Sequence, residues 1–236
     1  MLNPAFYPAM FERKSIRKYS DTPLSEEQLE QVKREIAAVT PLLPNEKFAL
    51  ELNTSKGDWR IFGYCENTTL GNVNLGYILQ QLDLALHLQG LGRLWFGFGR
   101  KPSDITPPKG LTYAICLKIG NPAEDLTREI HEFDRKQSVT PDEHLIALLE
   151  SARLAPSAMN SQPWHFTADG DNIHVWRQKL GLKKLILDRM NLVDTGIALC
   201  HAVLALQRAG KTATAKACAA DTIDDMQYVC TLTVDG

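Results

Sequence analysis

The same order of predicted elements occurs twice in this chain, and this repeat constrains the fold more than any other feature. In each half a helix is followed by two strands, a long helix and a further strand. Such internal similarity indicates a duplicated architecture. The polar stretch 120–139 separates the two runs and has the composition of a linker. We therefore divide the chain at Val139, into residues 1–139 and residues 140–236.

The first run of elements begins with a helix predicted over Ser25–Ala38. Ser25 and Gln28 have the spacing of a capping box at its start. Strands are predicted at 48–52, 60–64 and 114–119, and the long helix is predicted at 74–89.

The second run begins with a helix predicted at 140–154, with Thr140 as its N-cap and Pro141 at its first position. A hairpin is predicted for 165–168 and 173–176, a second long helix for 192–209, and a final strand for 227–234. These elements predict an α+β sandwich of mostly antiparallel sheets, one in each half, flanked by helices.

Each long helix carries a glycine at the same distance from its end. Gly76 precedes Gly90 by fourteen residues, and Gly196 precedes Gly210 by fourteen. A glycine inside a helix costs about 1 kcal/mol relative to alanine, so we expect another backbone or a flat ligand to pack closely there. We therefore predict that the two long helices cross at the centre of the molecule.

Charge and hydropathy exclude several functional classes. The net charge of -2 and a pI near 6.3 give no indication of binding to nucleic acid or to an anionic membrane. The first ten residues lack the pattern of a secretory signal, and polar residues such as Asp83 and Asp194 interrupt the apolar helices. We therefore expect a cytoplasmic protein.

The cysteines give no indication of a metal site or a disulfide framework. Their number is odd and no two have C-x-x-C spacing. We interpret them as small buried apolar residues in a reducing compartment. They are Cys65, Cys116, Cys200, Cys218 and Cys230.

A basic cluster near the N-terminus is the first candidate binding element. Arg13, Lys14, Ser15 and Arg17 combine positive charges with a hydroxyl, and arginine binds phosphate through two parallel N–H groups. The alternative is an ordinary solvated basic surface. Arg128, Arg135 and Lys136, on the polar linker, have the same two interpretations.

Two loops are further candidates. Small, hydroxyl and amide residues crowd the run Ala155–Trp164, which suits a polar, planar, phosphorylated ligand; the alternative is a plain helix-to-strand connection with a core tryptophan. The run Gly90–Gly99 has four glycines, which permit close approach of a backbone; the alternative is a flexible connection with aromatic plugs.

Together these runs resemble the FMN-dependent nitroreductase superfamily. Arg13–Arg17 is similar to its N-terminal R-x-S-x-R/K element, and Gly90–Trp95 resembles its G-L-G-x-x-W segment. The run Ala155–Trp164 matches its A-P-S-x-x-N-x-Q-P-W loop over ten residues. The resemblance implies a nitroreductase-like α/β sandwich.

The motifs are divided between the halves in an unusual way. The first half has the R-x-S-x-R and G-L-G-x-x-W elements, but Leu42 stands where its loop would need the serine. The second half has the A-P-S loop and lacks the other two elements. The resemblance therefore implies a single-chain pseudo-dimer, in which two tandem halves mimic the family homodimer and retain one FMN site. A monomer is the corresponding expectation.

The family assigns roles to the matching residues. Arg13 and Ser15 would bind the FMN phosphate beside Lys14, with Arg135 or Lys136 assisting, and Arg17 would approach the N1/O2 edge of the ring. Further roles fall to the backbone of Gly97 and Phe98 at the N5 edge, and to the loop residues Pro156, Ser157, Ala158 and Asn160 at the ring or ribityl chain.

The resemblance implies catalysis by the bound FMN, with no catalytic side chain and no metal. NAD(P)H would be the reductant, and a nitroaromatic, a quinone or a similar small aromatic molecule the acceptor. Two alternatives stay open at this point: a flavin-binding module without turnover, and a degenerate scaffold that binds no flavin.

Overall fold

The computed structural model describes residues 1–97, 106–137, 139–180, 184–217 and 223–235. Its α-helices are α1 (Phe6–Ala9), α2 (Glu26–Ala38), α3 (Thr69–Leu88), α4 (Glu143–Ile146), α5 (Glu150–Arg153) and α6 (Lys184–Arg208). Its strands are β1 (Phe48–Asn53), β2 (Arg60–Cys65), β3 (Gly92–Phe96), β4 (Thr112–Gly120), β5 (Trp164–Asp169), β6 (Asn172–Gln178), β7 (Thr212–Lys216) and β8 (Met226–Asp235).

The strands form two four-stranded antiparallel sheets with the same topology. The order is β1-β2-β4-β3 in the first sheet and β5-β6-β8-β7 in the second. Even the irregularities correspond: the register shifts after Gly63 in β2 and after Val175 in β6, in each case opposite the last strand of its half. The predicted α+β sandwich with one sheet per half is therefore confirmed.

The helix α2 begins as its sequence predicts. Ser25 accepts a hydrogen bond from the Gln28 backbone N–H, and the Gln28 side chain accepts one from the Ser25 backbone, which completes the capping box. Val32 is fully buried on the inner side of the helix.

The long helices α3 and α6 cross at the two glycines that the sequence singles out. A Cβ atom on Gly76 would lie 2.0 Å from the carbonyl oxygen of Val193, and one on Gly196 would lie 1.9 Å from that of Val73. Each contact joins a glycine to the residue three positions before the other glycine, so the crossing is nearly symmetric. The predicted central pair of helices is confirmed.

The sequence pattern did not predict two of the strands. β3 and β7 each follow a long helix and lie at the edge of a sheet, so the described part of each half has four strands rather than three. Gly90 and Gly210, with φ of 75° and 78°, end the helices and turn the chain into these strands.

The predicted helix at 140–154 was wrong in its form. The chain makes two short helices, α4 and α5, instead of one continuous helix. Thr140 does not cap a helix, because its hydroxyl accepts a hydrogen bond from the Asp142 N–H in a turn, and α4 begins only after Asp142. The long helices also begin earlier than predicted: the Thr68 hydroxyl caps α3 by accepting from the Gly71 N–H.

One continuous apolar core joins the two sheets through α3 and α6. It includes Ile61 and Leu117 of the first sheet as well as Val175 and Leu232 of the second. Among the described residues, only the stretch Leu187–Arg208 of α6 is long and apolar enough to cross a membrane, and 94% of its apolar window is buried inside the protein. We therefore interpret α6 as a core helix.

Candidate functional site

The R-x-S-x-R element runs as an extended segment beside the linker. It pairs antiparallel with the linker through bridges from Arg13 to Thr127 and from Tyr19 to Pro122. On its other side, the Ile16 N–H donates to the Arg93 carbonyl at 2.8 Å, with the Ile16 side chain fully buried. In an extended segment alternate residues share a side, so burial of Ile16 turns its neighbours at positions 15 and 17 the other way.

Arg13 is buried although it carries a charge. Its side chain is 2% exposed, and its Nε lies 2.8 Å from Oδ2 of Asp83, a fully buried residue of α3. The contact is an ion pair without the N–H alignment of a good hydrogen bond. A second Arg13 nitrogen, Nη2, donates to the Ser15 hydroxyl at 3.4 Å.

The linker adds two further arginines to the same place. The Arg128 guanidinium lies over the Phe133 ring, 3.5 Å from its centre. The backbone N–H of Arg128 donates to the Glu12 carbonyl at 2.9 Å. Arg135 donates from Nε to the Ala155 carbonyl at 3.1 Å and from Nη1 to Asn160 Oδ1 at 2.8 Å. Arg135 thus joins the linker to the A-P-S loop.

The A-P-S loop is compact and conformationally unusual. Met159, Asn160 and Gln162 all have left-handed backbones, with φ of 52°, 55° and 47°, a conformation that costs non-glycine residues energy. Hydrogen bonds within the loop hold this shape: the Gln162 N–H donates to the Ser157 hydroxyl at 3.0 Å, and Gln162 Nε2 donates to the Asn160 carbonyl.

Contacts from outside fix the loop at both ends. The Ala158 N–H donates to the buried carboxyl of Asp194 on α6, with both oxygens at 3.1 Å. Lys136 donates twice to Gln162, from its backbone at 2.7 Å and from Nζ at 3.0 Å. The loop is therefore held between α6 and the linker.

These elements surround a cavity of about 540 Å³, which we call the arginine cavity. The part before residue 139 contributes mainly charged groups, and the part after it contributes the loop. The lining residues are Arg13, Lys14, Ser15, Arg17, Glu124, Arg128, Glu132, Arg135, Pro156, Ser157, Met159 and Asn160.

The electrostatics of the arginine cavity favour an anionic ligand. Burial, and next the charge of Arg13, lower the pKa of Arg128 to about 10. Burial, and next the charges of Arg128 and Arg13, lower the pKa of Arg135 to about 10. Among the described residues neither Arg128 nor Arg135 forms an ion pair, so a bound anion would offset their mutual repulsion.

The match to known proteins agrees with the motifs. The family model described as "Putative TM nitroreductase" matches residues 5–206. The chain belongs to this nitroreductase family. Among curated proteins, none matches this chain.

A solved structure shares the fold of this chain over nearly its whole length, and others match part of it. The crystal structure of a "putative nitroreductase" from Thermotoga maritima MSB8 has a TM-score of 0.69, with 22% identity over 97% of this chain and 93% of that one. A nitroreductase with bound FMN from Desulfitobacterium hafniense DCB-2 has a TM-score of 0.46 and 14% identity, over 59% of this chain and 100% of that one. Another nitroreductase in complex with FMN, from Desulfovibrio desulfuricans, has a TM-score of 0.41 and 19% identity, over 52% of this chain and 89% of that one.

Most of the residues expected in the cofactor site lie together. Eight of the twelve line the arginine cavity: Arg13, Lys14, Ser15, Arg17, Arg135, Pro156, Ser157 and Asn160. Lys136 and Ala158 lie just behind it, since their contacts hold the loop.

The expected N5-edge residues are separate from this group. Gly97 does not line the arginine cavity; a Cβ atom there would lie 2.6 Å from the sulfur of Met190 on α6. Phe98 lies outside the described residues. Their assignment therefore stays a prediction from the resemblance.

Several lining residues were absent from the expected set. Arg128 was a candidate on charge alone, but Glu124, Glu132 and Met159 carried no signal. Glu124 accepts from the backbone N–H groups of Arg17 at 2.5 Å and Lys18 at 2.9 Å, and these hydrogen bonds lower its pKa. This pairing across more than a hundred residues is not visible in a local motif.

Metal and thiol chemistry have no candidate in the described part of the chain. No cluster of histidine, cysteine, aspartate or glutamate there has the arrangement of a metal site. The four described cysteines, Cys65, Cys116, Cys200 and Cys230, are buried and form no disulfide with one another. Cys218 lies outside the described residues.

Proposed function

We propose that this chain is an FMN-dependent oxidoreductase of the nitroreductase type with a single FMN site. The observation that supports the proposal is the arginine cavity. It joins the R-x-S-x-R element to the A-P-S loop, and these two family motifs are more than 130 residues apart in sequence.

The donor set of the arginine cavity suits a phosphate monoester. Arginine binds phosphate through planar pairs of N–H groups, and Arg13, Arg17 and Arg128 all reach the cavity. The Arg128 Nε is buried and has no hydrogen-bond partner among the described residues. A buried donor without a partner costs free energy, and a phosphate oxygen would satisfy it.

The chain's residues then have distinct tasks. Arg13 and Ser15 bind the phosphate, with Lys14 and Arg128 adding positive charge. Arg135 fixes the loop and faces the same anion. Arg17, which also lines the cavity, would approach the flavin ring.

The second wall of the site belongs to the loop. Ser157 would present its hydroxyl to the flavin, and Asn160, bound to Arg135 through Oδ1, lines the same wall beside Pro156. Ala158 and Lys136 hold these residues in place from behind. The protein binds and orients, and the chemistry comes from the cofactor.

FMN held by these residues would supply hydride-transfer chemistry, with NAD(P)H as the reductant and a nitroaromatic, quinone or similar small aromatic molecule as the acceptor. We further propose that the halves, residues 1–139 and 140–236, act as a pseudo-dimer, and that the protein is a cytoplasmic monomer.

The visible absorption spectrum tests the function. Purified protein is titrated with FMN, and NADPH and then NADH are added under anaerobic conditions. We expect one FMN to bind per chain and the flavin band to bleach with a nicotinamide nucleotide. A variant tests the site: Arg17 is exposed and no hydrogen bond of its side chain is described, so Arg17→Ala leaves the fold intact and weakens FMN binding about tenfold or more.

Arg34→Ala is the matched control, because Arg34 lies on α2 and does not line the arginine cavity. If the bound flavin bleaches with dithionite but not with NADH or NADPH, the protein is a flavin-binding module without turnover and not an oxidoreductase. Absence of flavin binding would leave a scaffold without the proposed activity.

A further inference from the structure

Asp83 is a buried carboxylate that contacts two arginines, one of which, Arg13, lines the arginine cavity. Its Oδ2 lies 2.8 Å from Nε of Arg13, and its Oδ1 lies 3.4 Å from Nε of Arg93. The Asp83 and Arg93 side chains are fully buried. Because Asp83 engages Arg13 at Nε, the Nη groups at the far end of the guanidinium are left for Ser15 and for the cavity.

Arg93 connects Asp83 to the backbone of the R-x-S-x-R element. Its Nη2 donates to the Lys14 carbonyl at 3.2 Å, and its own carbonyl accepts from the Ile16 N–H at 2.8 Å. The backbone on both sides of Ser15 is therefore attached to Arg93. Asp83 thus contacts the Arg13 side chain directly and is joined through the Arg93 side chain to the Lys14 carbonyl, one residue before Ser15.

The corresponding positions in the other half lack this pair. Asp83 lies seven residues after Gly76, and the residue seven after Gly196 is the buried Val203. Arg93 is the second residue of β3, and the second residue of β7 is Ala213. The buried charge pair therefore occurs in the half that has the R-x-S-x-R element and not in the half that lacks it.

We propose that Asp83 is a positioning residue for the phosphate of the bound flavin nucleotide: it orients Arg13 directly and, through Arg93, the backbone from Lys14 to Ile16. This inference rests on the proposed function. Simple electrostatics makes the opposite prediction, because a carboxylate near the cavity repels a phosphate and its removal would tighten binding. The sign of the effect therefore distinguishes positioning from charge balance.

The test compares FMN with riboflavin, which has the same ring and ribityl chain without the phosphate. Dissociation constants for both are measured by fluorescence titration of the wild-type protein and of Asp83→Asn. We expect FMN to bind about tenfold or more weakly to the variant, and the affinity for riboflavin to change by less than about twofold. Asp188→Asn is the control: it removes a carboxylate 2.7 Å from the buried Arg177, away from the arginine cavity, and should leave both affinities unchanged.

Two further variants keep the test decisive. In an Arg13→Ala background, Asp83→Asn should have a smaller additional effect on the FMN-to-riboflavin ratio than in the wild type, because only the route through Arg93 remains. Asp83→Glu retains the charge and displaces the carboxylate by one methylene. It replaces Asp83→Asn if the latter does not fold, and the same selective loss of FMN affinity is expected.

Tighter FMN binding, unchanged FMN binding, or an equal loss of both ligands in the folded variants would overturn the role of Asp83 and leave the proposed function standing. A wild-type protein that binds neither FMN nor riboflavin would overturn both.

Discussion

At the scale of single residues, two buried ionisable groups on α6 respond to pH in opposite directions. His201 is fully buried, and its Nδ1 lies 2.7 Å from the Ser151 carbonyl, which only accepts hydrogen bonds. Nδ1 therefore carries the proton, and Nε2 accepts from Gln80 at 3.0 Å. Protonation of Nε2 would break the contact with Gln80.

His201 should make the protein sensitive to acid. Burial lowers its pKa from 6.5 to about 4. Below pH 6.5 the unfolded chain binds a proton at His201 that the folded protein does not bind. The free energy of unfolding therefore falls as the pH decreases. We expect His201→Gln to remove about 2 kcal/mol of this loss between pH 7 and pH 5. The corresponding residue of α3, Gln81, shows that glutamine fits such a place. Urea unfolding at both pH values measures the effect, and an unchanged pH slope would contradict it.

Asp194 should make the protein sensitive to alkali. Burial raises its pKa well above the ordinary value, against the hydrogen bond from Ala158, and no ion pair in the described chain includes it. The folded protein keeps a proton that the unfolded chain loses, so the free energy of unfolding falls as pH rises from the ordinary aspartate range toward the folded-state pKa.

Asp194→Asn should therefore stabilise the protein, and its advantage should grow as the pH rises above the ordinary aspartate range. Asn74, the corresponding residue of α3, accepts from the N–H groups of Leu42 and Leu43 at 3.0 Å, so an amide performs the same task there. The reciprocal variant, Asn74→Asp, should introduce a loss of stability on the alkaline side. Denaturant unfolding across this pH range tests both, and a constant difference between wild type and Asp194→Asn would argue against a titrating Asp194.

The site was predictable from sequence where its residues form local motifs. Arg13, Ser15 and Ser157 belong to such motifs and were found. Asp83 and Asp194 were seen only as interruptions of apolar helices, because their partners lie 70 and 36 residues away. Charge alone does not reveal which arginine a buried carboxylate will meet.

At the scale of elements, the crossing of α3 and α6 depends on two missing side chains. A methyl group at Gly76 or Gly196 would lie about 2 Å from a carbonyl oxygen of the opposite helix, where no adjustment of a flexible side chain relieves the clash. The helices would have to separate along the whole core.

We expect Gly76→Ala and Gly196→Ala each to destabilise the protein by about 3 kcal/mol or more. Overpacking of a core costs about 1–3 kcal/mol, and a clash with backbone atoms is relieved less easily than one with a side chain. Gly110→Ala is the control: it has a positive φ and open space around it, so it should cost only about 1 kcal/mol. Melting temperatures rank the three variants, and equal effects would exclude close packing as the cause.

The element order was predictable because helices and central strands carry periodic apolar patterns. The edge strands β3 and β7 were not predicted because their sequences lack the apolar pattern of the central strands. β3 lies in a glycine-rich run, and β7 alternates threonine with alanine. Their pairing with β4 and β8 creates them, and this pairing is a property of the sheet. The prediction of one helix at 140–154 was wrong because the Thr140 hydroxyl favours a local turn.

At the scale of the whole molecule, the symmetry of the scaffold is not matched by symmetry of the charges. The sheets share one topology and the helices cross at equivalent glycines. The arginine cavity takes its charge from residues before 139 and its loop from residues after 139. This division supports the proposal of a single cofactor site.

The whole chain should therefore bind one FMN and remain a monomer of 26.4 kDa. Calorimetric titration gives the stoichiometry, and light scattering after gel filtration gives the mass with and without FMN. Leu42→Ser restores the serine of the first-half loop, and we expect it to leave the stoichiometry at one. Two FMN per chain, or twice the monomer mass, would contradict the pseudo-dimer.

The burial of α3 has a consequence for biosynthesis. Every residue from Gly71 to His87 is buried, and α6 supplies much of the covering surface. A ribosome completes the first sheet at Gly120 many residues before it reaches α6. Until then the nascent chain exposes an apolar helix face, which is a substrate for chaperones and a risk for aggregation. Release of the second half would complete the fold and the cofactor site in one late step.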